Sequence, residues 1–243
     1  MMRLGGTFVN FLKVSTCPAK FRVMNSQILA VLGTLLLLLP GRPTVVERVI
    51  DGDTVEVGDE LVRLLGINTP ERGDRCFRES TEALKTLVLG REVSMVRELG
   101  GRDKYGRALR HLKIGEVLVS EIMVAEGHAK ALCIFPNYAY CDLLMQKEVE
   151  AIMGGRGCLF SRAVNDCIRI VKADCQGEWV TIRNFCESEE RLETVWVENR
   201  GRGVVELEGG LGPGADRTFH MKLYPGDAVY LFDPTGLRAF LPC

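Results

Sequence analysis

Asp51, Asp53, Arg63, Asn68, Thr69 and Glu71 crowd into one short stretch of the chain. Asp53, the Asn68 amide oxygen and the Thr69 carbonyl or hydroxyl are hard oxygen donors. Calcium prefers such a set, with water completing its coordination, and Asp51 is placed to hold one of those waters. The plainer reading of the two aspartates is turn chemistry, because Asp-Gly makes a hairpin without a metal. Arg63 sits inside the apolar run Leu61–Ile67 and, on a regular strand, shares a face with Leu61, Leu65 and Ile67. A guanidinium there is costly unless it meets a carboxylate or a phosphate, so an internal ion pair competes with a ligand. Glu71 follows Thr69-Pro70, where proline stiffens the chain and orients the next side chain; alone it reads as a loop carboxylate. The "DKYGR" segment, Asp103–Arg107, adds Lys104, Tyr105 and Arg107, which singly read as a solvated turn.

The surrounding sequence predicts the elements that carry these groups. Residues 44–67 alternate as β structure: "TVVERVI", an Asp-Gly-Asp turn, "TVEV", a "GDE" turn, then "LVRLLGI". Asp-Gly between β-branched runs is a strong hairpin signal. Residues 79–89 switch to helical spacing, with Ala83, Leu84, Leu87 and Val88 on one face, Ser80 as cap and Gly90 as stop. "EVSMVREL" and "ALRHLKI" are strands on either side of "GGRDKYGR"; Ser120–Glu126 is a short helix ended by Gly127. Cys141, Met145, Val149 and Ile152 define the apolar face of a third helix that ends at Gly154-Gly155. Strands lead and helices follow, which predicts a mainly β fold with some α, a five-stranded barrel with three helices packed on it. From about Cys167 the pattern changes to short alternating runs ("CIRIVKA", "EWVTIRNF", "LETVWVEN", "VVELEG", "RTFHMKL", "AVYLFD") punctuated by Gly, Pro, Asn and Asp, as in a β-sandwich. The expected boundaries are 1–42 for a leader or anchor, 44–161 for the barrel and 166–243 for the sandwich.

Composition excludes some classes. The chain has 243 residues, 47% hydrophobic and 26% charged, so it is globular and not disordered. A net charge of −1 gives no global pull toward nucleic acid. Residues 166–243 carry 9 Lys+Arg against 13 Asp+Glu, a net −4, which leaves +3 for residues 1–165. A polyanion would therefore meet the first part of the chain, at a local cationic pocket. Ile28–Leu39, "ILAVLGTLLLLL", matches the core of a secretory signal and is short for a spanning helix, which needs about 20 residues; cleaved signal and retained membrane anchor both stay open. Nine cysteines, eight of them after that run, favour disulfides in an oxidising, extracytoplasmic compartment, secreted or membrane-anchored. His111, His128 and His220 are scattered and have no metal-ligand spacing.

Taken in order, "IDGDTVEV", "VRLLGINTPE" and "DKYGRAL" resemble the staphylococcal nuclease (thermonuclease) family, an OB-fold of calcium-dependent phosphodiesterases, over about Val45 to Phe160. The resemblance implies that Arg63 and Arg107 grip the scissile phosphate and that Glu71 handles the attacking water. It further implies that Asp53, Asn68 and Thr69 hold calcium, with Asp51 acting through water. Lys104, Tyr105 and Phe135 are then candidates to contact neighbouring phosphates and bases of a single-stranded DNA or RNA substrate. Two departures stand out. Asn68 replaces an aspartate of the best-known member, which removes one anionic ligand. Cys133 and Phe135, in "KALCIFPN", replace base-stacking tyrosines, and Cys133 is a candidate for a disulfide. "GEWVTIRN", Trp196 and "YPGDAVYLFD" resemble a lamin-tail domain, an immunoglobulin-like β-sandwich, with Trp179 and Trp196 expected in its core. The implied function is a calcium-dependent nuclease of low sequence specificity. The alternative is a non-catalytic nucleic-acid- or protein-binding module whose sandwich mediates association.

Overall fold

In a computed structural model, residues 44–163, 167–201 and 203–242 are described, and all fall within one compact unit, Gly41–Cys243. The apolar run 28–39 lies outside them. Among the described residues no helix is long and apolar enough to cross a membrane.

Strands β1 (Thr44–Val45), β2 (Arg48–Val49), β3 (Thr54–Val57), β4 (Glu60–Leu64) and β5 (Gly66–Asn68) are followed by helix α1 (Phe77–Val88). Then come β6 (Glu92–Val96), β7 (Ala108–Ile114), β8 (Val117–Leu118), α2 (Val119–Ala125), β9 (Lys130–Leu132), α3 (Cys141–Gly154) and the single turn α4 (Gly157–Phe160). Seven of the described strands form one curled sheet in the order β1-β6-β7-β4-β3-β2, with β8 paired to β7, while β5 and β9 make a separate ribbon. The expected five-stranded barrel with three helices is thus a half-barrel with more, shorter strands and one extra helical turn. Its core is drawn from the concave sheet face and three helices: Val55, Val62, Leu64, Leu84, Leu112, Met123 and Leu144 are all buried there.

Three local readings are corrected. Chain direction changes at Gly66, whose φ is +82°, so Leu65 and Ile67 leave the alternation of β4, and Leu61 is largely exposed. Arg63 therefore does not share a continuous apolar face with them. Helix α1 starts two residues early: Cys76, joined to Cys158, precedes it in the left-handed conformation, and Ser80 is buried inside the helix, donating to the His128 carbonyl at 2.6 Å. The buried face of α3 is Cys141, Leu144, Glu148 and Ala151. An apolar-periodicity reading passes over a buried glutamate and so lands on Val149, which is exposed.

The C-terminal half contributes β10 (Ile168–Asp174), β11 (Trp179–Asn184), β12 (Glu190–Arg191), β13 (Trp196–Asn199), β14 (Val204–Glu206), β15 (Gly210–Leu211), β16 (Asp216–His220), β17 (Ala228–Asp233) and β18 (Gly236–Pro242). A three-stranded sheet β10-β11-β16 and a four-stranded sheet β14-β13-β17-β18 share one core that includes Ile168, Val180, Ile182, Val197, Val229 and Leu231. Trp179, expected in that core, is 47% exposed and packs edge-on to His220 instead. A third apolar cluster sits where the halves meet. It joins Cys76, Ala151, Leu159 and Phe160 to Ala228, Tyr230, Phe232 and Leu237. Disulfides Cys76–Cys158, Cys133–Cys141 and Cys167–Cys186 are present among the described residues, and Cys175 is disulfide-bonded too. Such usage suggests an oxidising, extracytoplasmic environment.

Candidate functional site

The Asp51-Gly52-Asp53 turn is closed by Ile50 N–H donating to the Thr54 carbonyl and by Asp53 N–H donating to Asp51 Oδ1 at 3.1 Å. A Cβ on Gly52 would lie 2.8 Å from Thr69 Oγ1; glycine is what lets the 68–71 segment close over the turn. Thr69 then donates through its N–H (3.2 Å) and its hydroxyl (3.1 Å) to Asp53 Oδ2.

Asp53 is the hub. Arg63 Nη2 lies 3.0 Å from Asp53 Oδ2, and the same guanidinium donates to the carbonyls of Leu64 (2.6 Å) and Ile67 (2.8 Å). This settles what faces Arg63: an internal carboxylate and two carbonyls offset its burial, with no phosphate required. The Thr54 hydroxyl donates to Asp53 Oδ1 at 3.0 Å and sits 3.3 Å from Arg107 Nη1. A continuous string Arg63–Asp53–Thr54–Arg107 results, made possible because β4 pairs with β3 (Thr54↔Arg63) and with β7. Asp103 fixes the far end of the string. Its Oδ2 accepts from Arg107 Nε at 2.7 Å and its Oδ1 accepts the N–H groups of Tyr105 and Arg107. Burial pushes the Asp103 carboxyl up, but the bonds from Arg107 and the two amides outweigh it and hold it below the usual carboxylate range. Asp103 was not singled out as a site residue, although an acid four positions before Arg107 was a usable signal. Thr54 carried no such signal.

Of the remaining expected residues, Glu71 is exposed and two positions beyond Thr69, within about 7 Å of chain from it. Its N–H is held by Asp74 Oδ2 at 2.8 Å. Tyr105 is 72% exposed, with Lys104 Nζ 5.0 Å and the Arg107 guanidinium 5.6 Å from its ring centroid. Phe135 is 79% exposed on the loop after β9, its ring 6.3 Å from the exposed Tyr138, so among the described residues its ring contact is with Tyr138 and not with the string. Cys133 is committed to Cys141.

Hydrogen bonds join Asp51, Asp53 and Thr69, and Asn68 precedes Thr69 in the chain with its Nδ2 turned to the Arg200 carbonyl; the oxygens these residues carry are of the kind a hard divalent ion selects. Burial, then the neighbouring Asp53 charge, raises the Asp51 carboxyl, a tension a cation would relieve. The set holds two carboxylates only: among the described residues the one group of three acid, His or Cys ligands is Cys167, Cys186 and Glu190, and its sulfurs are bonded to each other.

The C-terminal half reaches this edge, which the sequence reading did not foresee. Asn68 Nδ2 donates to the Arg200 carbonyl at 3.2 Å. Lys130, opposite Asn68 in the β5–β9 ribbon, pairs with Glu198. Deeper, Arg200 Nη1 is 2.6 Å from Glu148 Oε2, and the Tyr230 hydroxyl and Ala131 N–H both donate to Glu148 Oε1. Between the halves, a cavity of about 550 Å³ is walled by Asn68, Glu71 and Arg75 on one side and Trp196, Glu206 and Phe232 on the other.

Residues 61–157 match the family described as Staphylococcal nuclease homologue. The chain is 31% identical over 121 residues to a thermonuclease of Staphylococcus intermedius, covering 46% of this chain and 72% of that one. It is 38% identical over 117 residues to an uncharacterized endonuclease of Escherichia coli O157:H7, covering 46% of this chain and 73% of that protein. Over 141 residues it is 30% identical to the endonuclease YncB of Bacillus subtilis, 51% of this chain and 67% of the relative. With the half-barrel and the arginine–carboxylate string in place, the chain belongs to the staphylococcal nuclease family.

Proposed function

We propose that the chain is a calcium-dependent nuclease that hydrolyses phosphodiester bonds of single-stranded DNA or RNA with little sequence specificity. The observation that carries this reading is the string Arg63–Asp53–Thr54–Arg107, which holds two guanidinium groups on one edge with Glu71 close by along the chain.

Asp53, Asn68 and Thr69, with Asp51 through water, would hold the ion. When bound, it neutralises charge that builds on the phosphate oxygens. The remaining work falls to side chains. Arg63 and Arg107 donate to the equatorial oxygens, where forked, charge-assisted bonds are strongest. Glu71 takes a proton from water as the water oxygen bonds to phosphorus and one ester P–O bond breaks; the departing oxygen takes up a proton from solvent. A positioned base of this kind is worth about 10²–10⁴-fold.

The C-terminal half is read as a lamin-tail-like, immunoglobulin-like sandwich, supported by its two sheets over one core. Residues 1–42 are read as an export signal or membrane anchor, so the enzyme would work outside the cytoplasm. The test uses the full chain on single-stranded DNA and RNA with calcium, with chelator, and as Glu71→Gln. Loss of cleavage with chelator and in Glu71→Gln is expected. Binding without turnover would mark a non-catalytic module instead, and chelator-resistant cleavage would contradict the ion's role.

A further inference from the structure

Residues 97–113 hold six Lys and Arg against Glu98 and Asp103, and three of those arginines have no part in the string. β6 and β7 pair Val96 with His111, so the next step of that register sets Arg97 opposite Arg110. Gly101 lies between them. Its carbonyl accepts from Arg110 Nη1 at 3.0 Å, the Leu109 carbonyl accepts from the same nitrogen at 2.8 Å, and a Cβ on Gly101 would lie 3.4 Å from Arg97 Nη2. Arg102, the next residue, donates through Nη1 to the Gly106 carbonyl at 2.7 Å and through Nη2 to Glu60 Oε1. The other Glu60 oxygen is 3.9 Å from Arg110 Nη2.

Three guanidinium groups thus gather around one carboxylate. Like charges set opposite each other across strands are destabilising. Burial depresses the Arg110 pKa; the Glu60 charge opposes this, and Arg97 and Arg102 push it down further. Arg97 is exposed and, among the described residues, makes no hydrogen bond or ion pair. Glu98 is committed to His111 and to the Ala139 N–H. Counting Asp59 and Glu60 as well leaves six basic groups against four acidic ones, so the local balance stays positive. An anion from outside would offset the crowding. Arg110 is three residues beyond Arg107, about 10 Å of strand, and Arg102 is bonded to Gly106, the residue before Arg107. We infer that Arg97, Arg102 and Arg110 form a second phosphate site, which holds the backbone of a single-stranded substrate a few nucleotides from the cut. The inference rests on the nuclease reading above for placing the cut at Arg63 and Arg107. Contacts to phosphate position a strand without reading its bases, in keeping with low sequence specificity.

Two measurements on the full chain test this. The first compares cleavage of a long single-stranded oligonucleotide with that of a dinucleotide, whose one phosphodiester cannot occupy both places. Arg97→Ala, a surface change, should raise KM for the long strand about threefold, as one exposed ion pair contributes, with kcat little changed, and the loss should not extend to the dinucleotide. Arg97→Lys should recover most of it. Glu60→Gln, which removes the opposing charge, should lower KM for the long strand instead. The second measurement reads binding alone: with chelator, the fluorescence anisotropy of the labelled long strand is followed against salt. The slope of log affinity on log salt should shrink by about 0.7 in Arg97→Ala, the counterion release of one single-strand phosphate. An equal loss on the dinucleotide, no loss on either substrate, or a higher KM in Glu60→Gln overturns the second site and leaves the nuclease reading intact. Absence of cleavage on every substrate sinks the nuclease reading, and the salt slope then judges the cluster alone: a smaller slope in Arg97→Ala upholds phosphate binding there and an unchanged one overturns it. Binding to phosphatidylglycerol vesicles that Arg97→Ala abolishes, with strand binding unaltered, would assign the cluster to a lipid headgroup and overturn the inference.

Discussion

Arg63 and Arg200 are both buried against a carboxylate, at 9% and 5% exposure, in two regions built from the same kind of bond. Arg63 pairs with Asp53 and donates to the Leu64 and Ile67 carbonyls; Arg200 pairs with Glu148 and donates to the Ala131 carbonyl at 3.1 Å. Their networks end differently. From Asp53 the bonds run through a hydroxyl to Arg107, beside the exposed ring of Tyr105. From Glu148 they run to the Tyr230 hydroxyl, inside the apolar junction between the halves. Burial of an ion pair thus says little about its role; what matters is whether the network reaches a surface where a ligand can take over some of the bonds.

The largest effect is expected where no ligand can. Glu148→Ala leaves Arg200 buried without its carboxylate and should cost about 3–5 kcal/mol of stability, read by urea unfolding. Pairing it with Arg200→Met should recover part of the loss, since two apolar groups leave no stranded charge. A single-variant cost below about 1 kcal/mol would break the contrast with Arg63, because exposed pairs cost that little. Arg63→Lys sharpens the other side. An ammonium keeps the Asp53 pair but not the fork, so kcat/KM should fall about 100-fold, equivalent to about 2.7 kcal/mol, with a loss of stability smaller than that of Glu148→Ala, since the Asp53 pair survives while the Leu64 and Ile67 carbonyls lose donors. Equal losses of stability and activity in this variant would mean that the two arginines play one role.

The residues of the Arg63–Asp53–Thr54–Arg107 string were for the most part legible in the sequence and the junction was not, for a physical reason. Asp53, Arg63, Thr69 and Arg107 lie on short, alternating strands or tight turns, where side-chain direction follows from a period of two and from Asp-Gly chemistry. All six runs expected as strands after Cys167 are strands in whole or part. Glu148 breaks the helical pattern that would have revealed its face, because its partners come from sequence positions far away: Ala131, Arg200 and Tyr230. The break in the strand at Gly66 was missed likewise, since a positive φ is permitted by glycine but not announced by it. Long-range polar partners leave no period to read.

Asp103 tests whether the edge depends on positioning as well as on the groups that touch substrate. Asp103→Asn keeps the turn's acceptor oxygen for the Tyr105 and Arg107 N–H groups but weakens the hold on the Arg107 guanidinium. About tenfold lower kcat, or about 1.4 kcal/mol, is expected, with KM for short substrates little changed. A drop as deep as that of Glu71→Gln would place Asp103 in the chemistry itself.

The smallest effect separates the two halves by pH. Burial lowers the pKa of His111 and of His128, both in the half-barrel; for His111 the bond to Glu98 opposes burial without reversing it. Glu98 also sits below its ordinary value: burial raises it, and the bonds from His111 and the Ala139 N–H more than compensate. A depressed folded-state pKa means the unfolded chain binds the proton more readily, so each group contributes stability that is present above its unfolded pKa and lost as pH falls through the folded one. The histidine contributions should therefore erode below pH 6.5 and that of Glu98 below 4.5, the ordinary values of these groups. Amide exchange measured on acidification should rise first along β7 and at the end of α2, which carry or adjoin His111 and His128, before it rises in β17. His128→Asn, neutral throughout, should remove its share of the slope. Simultaneous loss of protection in β7 and β17 would show that the junction transmits the strain, and that the halves, however different their ion pairs, open as one.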